Sequence, residues 1–331
     1  MSIVKLTMYH GYDTIPLVKY CRLKEAAEQQ GDWIMRLYTT ETIEIPVRDG
    51  RTLEVLVIRH DNHEKPGAVH EKPEDRSIGV LWLHGGGYAT GSAKLVMMSA
   101  GLELAREYNV TLFVPNYRLS GKAPYPAALH DAYDTLLYMK ENSRALDIRR
   151  SQLMVGGESA GGGLTAALCL YARDRKEVSI AYQMPLYPMI DDRYTETNRD
   201  NAGIFWNSRR NRAAWKMYLK LLYPEKIKKS EWETVIPSLE IPAYAVPARA
   251  KSLRNLPPAY SFVAKGEPFY AETVEYFRRL KASGVPCHLD EYDFSEHAFD
   301  MMLPFLSVSK KARSRFIKQF DYAMKHYSAR N

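Results

Sequence analysis

The chain has 331 residues, 46% hydrophobic and 26% charged, with a formal net charge of +7. This is ordinary globular composition, ample for a sizeable core, and because lysines and arginines are interleaved with acids the charge reads as a solvated basic surface rather than a nucleic-acid site. Cys21, Cys169 and Cys287 stand at no metal-like spacing and give no disulfide framework, which suits a reducing, cytoplasmic setting, and no run is apolar enough for a secretory signal or a bilayer span.

Residues 1–45 read as helical and amphipathic, ahead of the first strand. From about residue 50, short apolar runs alternate with amphipathic stretches, a pattern that argues for βαβ units and a parallel sheet. The strands expected are 53–58, 78–84, 110–117, 152–157, 180–187, 259–264 and 286–292. Helices are expected in SAGLELAREY, ALHDAYDTLLYMKE, GGLTAALCLYARD, AETVEYFRRLKASG and the final VSKKARSRFIKQFDYAMKHY. Residues 191–255 separate two strands by far more than a normal crossover, and include a helical stretch, WNSRRNRAAWKMYLKLLYPE, with two tryptophans. Long insertions on a sheet scaffold often cover a site, so 191–255 is expected to join 1–45 in a cap over a domain formed by 46–190 and 256–331.

Four places carry chemistry. After the strand IGVLWL comes His84-Gly85-Gly86-Gly87-Tyr88, where consecutive glycines let backbone N–H groups point at one spot, as an oxyanion hole requires. No G-K-[ST] follows, so a phosphate cradle is the weaker reading. Gly157-Glu158-Ser159-Ala160-Gly161 fits G-x-S-x-G between a strand and a helix, a turn so sharp that the serine is strained and only glycine fits two positions either side. His297, in SEHAFD, follows the last strand, where open α/β sheets place their sites. Glu267, in VAKGEPFY, follows the strand AYSFVA; Asp290, Glu291 and Asp293 are the other acids near in sequence, but they lie within or just after a strand.

These motifs resemble the hormone-sensitive-lipase branch of the α/β-hydrolase esterases. HGGGYATG is similar to that family's oxyanion motif and GESAGG to its nucleophile motif, while YRLSGKAPYPAALHDA, LPPAY and HAFD are similar to further landmarks. The resemblance runs from roughly residue 45 to the end. It implies an α/β-hydrolase fold, a mostly parallel sheet flanked by helices with a helical cap. It further implies Ser159 as nucleophile, His297 as general base, Glu267 as triad acid, and the N–H groups of Gly86, Gly87 and Ala160 as oxyanion hole. The departures are Glu267 where aspartate is usual, NYRLSGK in place of D-Y-R-L-A-P-E, and Ala298 where glycine usually follows the histidine.

The activity this implies is hydrolysis of short- to medium-chain acyl esters through an acyl-enzyme, with no metal or organic cofactor. The expected partner is a small-molecule ester, with neither nucleic acid nor membrane, and a homodimer stays open. Tyr88, Glu158 and the tryptophans of the insertion are candidates to line the pocket. Arg193, Arg199, Arg209, Arg210 and Arg212 of the insertion are candidates to favour anionic or polar leaving groups. An amide or formamide hydrolase needs the same constellation and stays open; a hydrolase-fold binding protein would have lost one of these residues, and a lipase would favour a more apolar insertion.

Overall fold

A computed structural model describes residues 38–60 and 69–329. Eight strands form one sheet: β1 (Tyr38–Pro46), β2 (Thr52–His60), β3 (Ile78–Leu83), β4 (Val110–Pro115), β5 (Met154–Glu158), β6 (Tyr182–Leu186), β7 (Ala259–Ala264) and β8 (Cys287–Tyr292). Their order is β1-β2-β4-β3-β5-β6-β7-β8. The first two pairings are antiparallel and the rest parallel. The helices are α1 (Ala100–Glu107), α2 (Ala127–Glu141), α3 (Ala160–Arg175), α4 (Ser208–Tyr218), α5 (Trp232–Ser238), α6 (Tyr270–Ala282), α7 (Phe299–Met302) and α8 (Ser307–His326). This is the α/β-hydrolase fold expected, and each strand expected from residue 53 onward is present with ends shifted by at most a few residues.

The two faces of the sheet bury separate cores because side chains alternate along each strand. Leu81, Leu83 and Phe113 face one cluster with Leu129, Leu136, Leu164 and Leu168 of α2 and α3. Val80, Trp82, Leu112 and Val114 face the other, with Leu104 of α1 and Phe316 and Phe320 of α8. Each fully buried side chain of this kind contributes about 1.5–3 kcal/mol. The central strands β3, β4, β5, β6 and β7 are buried throughout, as expected for a parallel sheet covered on both faces.

One expectation is overturned in part. Residues 38–45 are not helical: they belong to the edge strand β1, paired along its length with β2. The segment YTTETIEIP alternates in its second half, burying Ile45 and half-burying Ile43 while Thr42, Glu44 and Pro46 are exposed. The remaining part of the helical expectation, 1–37, lies outside the described residues. The insertion 191–255 carries α4 and α5 joined by irregular backbone, with α4 shorter than its sequence pattern suggested.

The motif YRL…HDA owes its residues to a structural lock. Arg118 binds the fully buried Asp131 of α2 through its Nε and Nη2 and also through its backbone N–H. That pair ties the segment after β4 to the helix that covers β3.

Candidate active site

Strand order assembles the site. β3 and β5 are neighbours with Leu83 opposite Gly157, so the loops that leave their C-terminal ends meet. A Cβ built on Gly85 would lie 3.4 Å from Ser159 Cβ. A Cβ on Gly161 would come 1.9 Å from the Leu83 carbonyl oxygen, and one on Gly157 2.3 Å from the same atom. Both flanking glycines are therefore needed for the turn to reach β3 at all.

Ser159 adopts φ 56° and ψ −118°, a sparsely populated conformation that costs of order 1–3 kcal/mol and is held by its surroundings. Its N–H donates to the Leu186 carbonyl at 3.0 Å, and its own carbonyl accepts from Gly163 and Met189, each at 2.9 Å. Its Oγ lies 2.8 Å from His297 Nε2. On the other side of the ring, His297 Nδ1 lies 2.8 Å from Glu267 Oε1. An ionised carboxylate only accepts, so Nδ1 carries the proton and the Nε2 lone pair faces the serine hydroxyl. All three residues are buried.

Complete burial pushes the Glu267 carboxyl above the usual glutamate range. The neighbouring His297 and a 3.3 Å hydrogen bond from the Ala264 N–H oppose that and favour the anion. The other acids near in sequence are engaged elsewhere. Asp290 accepts from Tyr260 and pairs with Arg315, Glu291 accepts from Tyr270, and Asp293 pairs with Lys265.

The glycine loop after β3 follows the same logic. Gly86 and Gly87 have φ of 117° and 60°, a region where side chains are strained. Among the described residues, the N–H groups of Gly86, Gly87 and Ala160 have no hydrogen-bond acceptor. The loop is braced by the Ala89 and Thr90 N–H groups, which donate to the Gly86 carbonyl, and by the Tyr117 hydroxyl, which donates to the His84 carbonyl at 2.7 Å. His84 stacks on Tyr117 and its Nδ1–H donates to the Gly85 carbonyl at 2.8 Å. Burial pulls the imidazole down to about 4, so it is neutral at ordinary pH.

Two pocket candidates lie elsewhere. Tyr88 is buried in an aromatic cluster, stacked on Tyr218 at 3.9 Å and packed on Trp215, with its hydroxyl donating to the Met189 carbonyl. It anchors α4 to the glycine loop. Glu158 points to the opposite face of the sheet, where it accepts from Trp82 Nε1 at 2.8 Å, and burial raises its carboxyl to about 7. Alternation along β5 explains this: the residue before Ser159 must face away from it.

One feature, Trp206, is among the insertion's tryptophans named as pocket candidates, and two further features had no signal in the sequence. Trp206 stands over the site, 6.5 Å between ring centroids from both His297 and Phe269, and its ring would strike a Cβ on Gly87 at 2.5 Å. Phe269 and Tyr187 meet the His297 ring edge-on at 4.9 and 5.1 Å, and the Tyr187 hydroxyl donates to the buried Asp300 at 2.8 Å. Glu296, buried beside His297, accepts from the Ile204 N–H of the insertion at 2.9 Å. Of the insertion's arginines, Arg193 pairs with Asp191 and Arg199 with Glu233, while Arg210 caps the Ile204 and Phe205 carbonyls.

The fold and this geometry define an α/β-hydrolase, and the comparison with known proteins agrees. A family model described as alpha/beta hydrolase fold matches residues 80–301, and the chain belongs to that family, in its hormone-sensitive-lipase-like carboxylesterase branch. It is similar to an arylesterase of Saccharolobus solfataricus, 26% identical over 297 residues covering 89% of each chain. It is also similar to an ethyl acetate hydrolase of Pseudomonas putida, 25% identical over 75% of this chain and 76% of that one. Among solved structures it resembles a bacterial heroin esterase (27% identity, TM-score 0.74, 92% of each chain). It likewise resembles the esterase LipW from Mycobacterium marinum (26% identity, TM-score 0.76, 92% of this chain and 87% of that one). The protein is a carboxylic ester hydrolase.

Proposed function

We propose that this esterase hydrolyses short- to medium-chain acyl esters of small molecules through a Ser159–His297–Glu267 triad and an acyl-enzyme. The observation that carries the reading is the pair of 2.8 Å contacts on opposite nitrogens of one imidazole, from Ser159 on one side and Glu267 on the other. His297 Nε2 takes the Ser159 proton as Oγ attacks the ester carbonyl carbon. The carbonyl π electrons move onto oxygen, which sits against the N–H groups of Gly86, Gly87 and Ala160. The tetrahedral adduct re-forms its C=O and expels the alcohol oxygen, which leaves with the proton from His297. Water, deprotonated by the same nitrogen, repeats the sequence on the acyl-enzyme and frees the acid. Glu267 holds the tautomer and balances the imidazolium that forms twice per turnover.

In this proposal the insertion 191–255 is a cap, because Trp206 lies over Gly87 and His297 and encloses the reacting centre. An enclosed site favours small acyl groups over an interfacial lipid, and the ethyl acetate hydrolase among its relatives supports the same size range. The cytoplasmic setting suggested by the sparse cysteines belongs to the same proposal. The test is a panel of p-nitrophenyl esters from acetate to palmitate, run beside matched anilides. Highest kcat/KM between acetate and octanoate is expected; faster turnover of palmitate, or of the anilides, contradicts the reading.

A further inference from the structure

The face of α4 turned toward the glycine loop carries a concentration of unmatched polar atoms. Ala214 and the preceding Trp206 crowd Gly87, and Trp215 packs on Tyr88, so this face looks at the site end of the sheet. Asn211 sits one turn before Ala214 and Trp215 on the same face. Trp206 Nε1, Ser208 Oγ, Asn211 Oδ1, Arg212 Nη1 and Trp215 Nε1 are all shielded from solvent and, among the described residues, have no hydrogen-bond partner. Of the other atoms in that condition, His84 Nε2 belongs to the glycine loop and the rest are scattered along the chain. A buried donor or acceptor without a partner is costly, so a cluster of them beside a reacting centre calls for an explanation, and a bound molecule supplies one.

We infer that Trp206 and Asn211 form a polar wall for the alcohol portion of the substrate, and that the enzyme prefers esters whose leaving alcohol carries a hydrogen-bond-accepting oxygen a few bonds beyond the ester. This rests on the esterase reading above and adds the class of leaving group. The side is set by mechanism: His297 protonates the departing alcohol, so the alcohol lies on the His297 side, and Trp206 is the insertion's ring beside His297. The chemistry is set by the atoms. An indole N–H donates and never accepts, so it selects an acceptor oxygen. The Asn211 amide offers oxygen as placed and its NH2 after a half-turn, so it accommodates either partner.

The test compares 2-methoxyethyl acetate with butyl acetate, which differ by an ether oxygen in place of one methylene and share the acyl group. Each kcat/KM is divided by the ester's rate with hydroxide, which removes intrinsic reactivity. The wild type should then favour the methoxyethyl ester by about three- to tenfold, the worth of one net hydrogen bond. Trp206→Phe should bring that ratio near one, and Asn211→Leu should lower it. A wild-type ratio near or below one overturns the proposal with no variant needed, as does a Trp206→Phe ratio equal to the wild type. Turnover of p-nitrophenyl acetate with neither alkyl acetate accepted also overturns it, while leaving the esterase reading intact. Turnover of none of the three removes both.

Discussion

Glu267 is one methylene longer than the aspartate usual at its position, yet it reaches the imidazole at 2.8 Å while its second oxygen accepts from Ala264. The loop is therefore set for the longer side chain. Glu267→Gln should lower kcat by roughly four orders of magnitude, because the amide removes the charge opposite the imidazolium and admits the wrong tautomer. Glu267→Asp should be impaired but measurably active, since the shorter carboxylate falls short of its hydrogen bond. Steady-state kinetics on p-nitrophenyl butyrate read both; near-normal turnover by Glu267→Gln would remove it from the mechanism. The meeting of Ser159, His297 and Glu267 was legible in the sequence because glycine spacing and strand ends give positional constraints. The side-chain direction of Glu158 was not used in that reading, although alternation along β5 contained it. Ala298 shows the reverse case. It stands at φ 54°, where glycine is favoured, at a cost of about 1 kcal/mol that no local pattern reveals.

At the scale of elements, the segment 197–206 stitches the insertion to the two loops that carry Glu267 and His297. Asn201 Nδ2 donates to the Gly266 carbonyl and Thr197 Oγ1 to the Pro268 carbonyl, bracketing Glu267. Glu296 receives the Ile204 N–H beside His297. Glu296→Ala should therefore displace the histidine loop and lower kcat by roughly ten- to a hundredfold, with KM changed much less. Glu296→Gln keeps an acceptor oxygen and should recover most of the activity. An alanine variant with wild-type kcat, or a KM effect alone, would show that the contact does not position the histidine loop. The insertion was legible as an interruption in βα alternation, but these contacts join residues far apart in sequence and carry no local signature. The edge strand β1 was missed for a different reason. Its polar, mostly exposed pattern matches a surface helix as well as a strand, and pairing with β2 decides between them.

For the molecule as a whole, the site end of the sheet rests on buried acids, and this makes stability depend on pH. Glu158 is wholly buried and burial raises its carboxyl from an ordinary 4.5 to about 7, so the folded state holds a proton that the unfolded chain releases. Stability from this group is complete below about pH 4.5 and is lost as pH rises through about 7, a change of roughly 3 kcal/mol. Burial raises Asp300 as well, which acts in the same direction. Glu158→Gln should accordingly raise the melting temperature over the wild type at pH 8 and have little effect at pH 5; an equal change at both would contradict this. The central claim, that one strained serine does the chemistry, has a direct measurement in covalent labelling by an organophosphate followed by intact-mass and peptide analysis. The wild type should gain a single adduct on the peptide containing Ser159 as esterase activity disappears, while Ser159→Ala should take no label and lose roughly three to six orders of magnitude in kcat. An adduct on another residue, or an alanine variant that still turns over esters at the wild-type rate, would contradict the account.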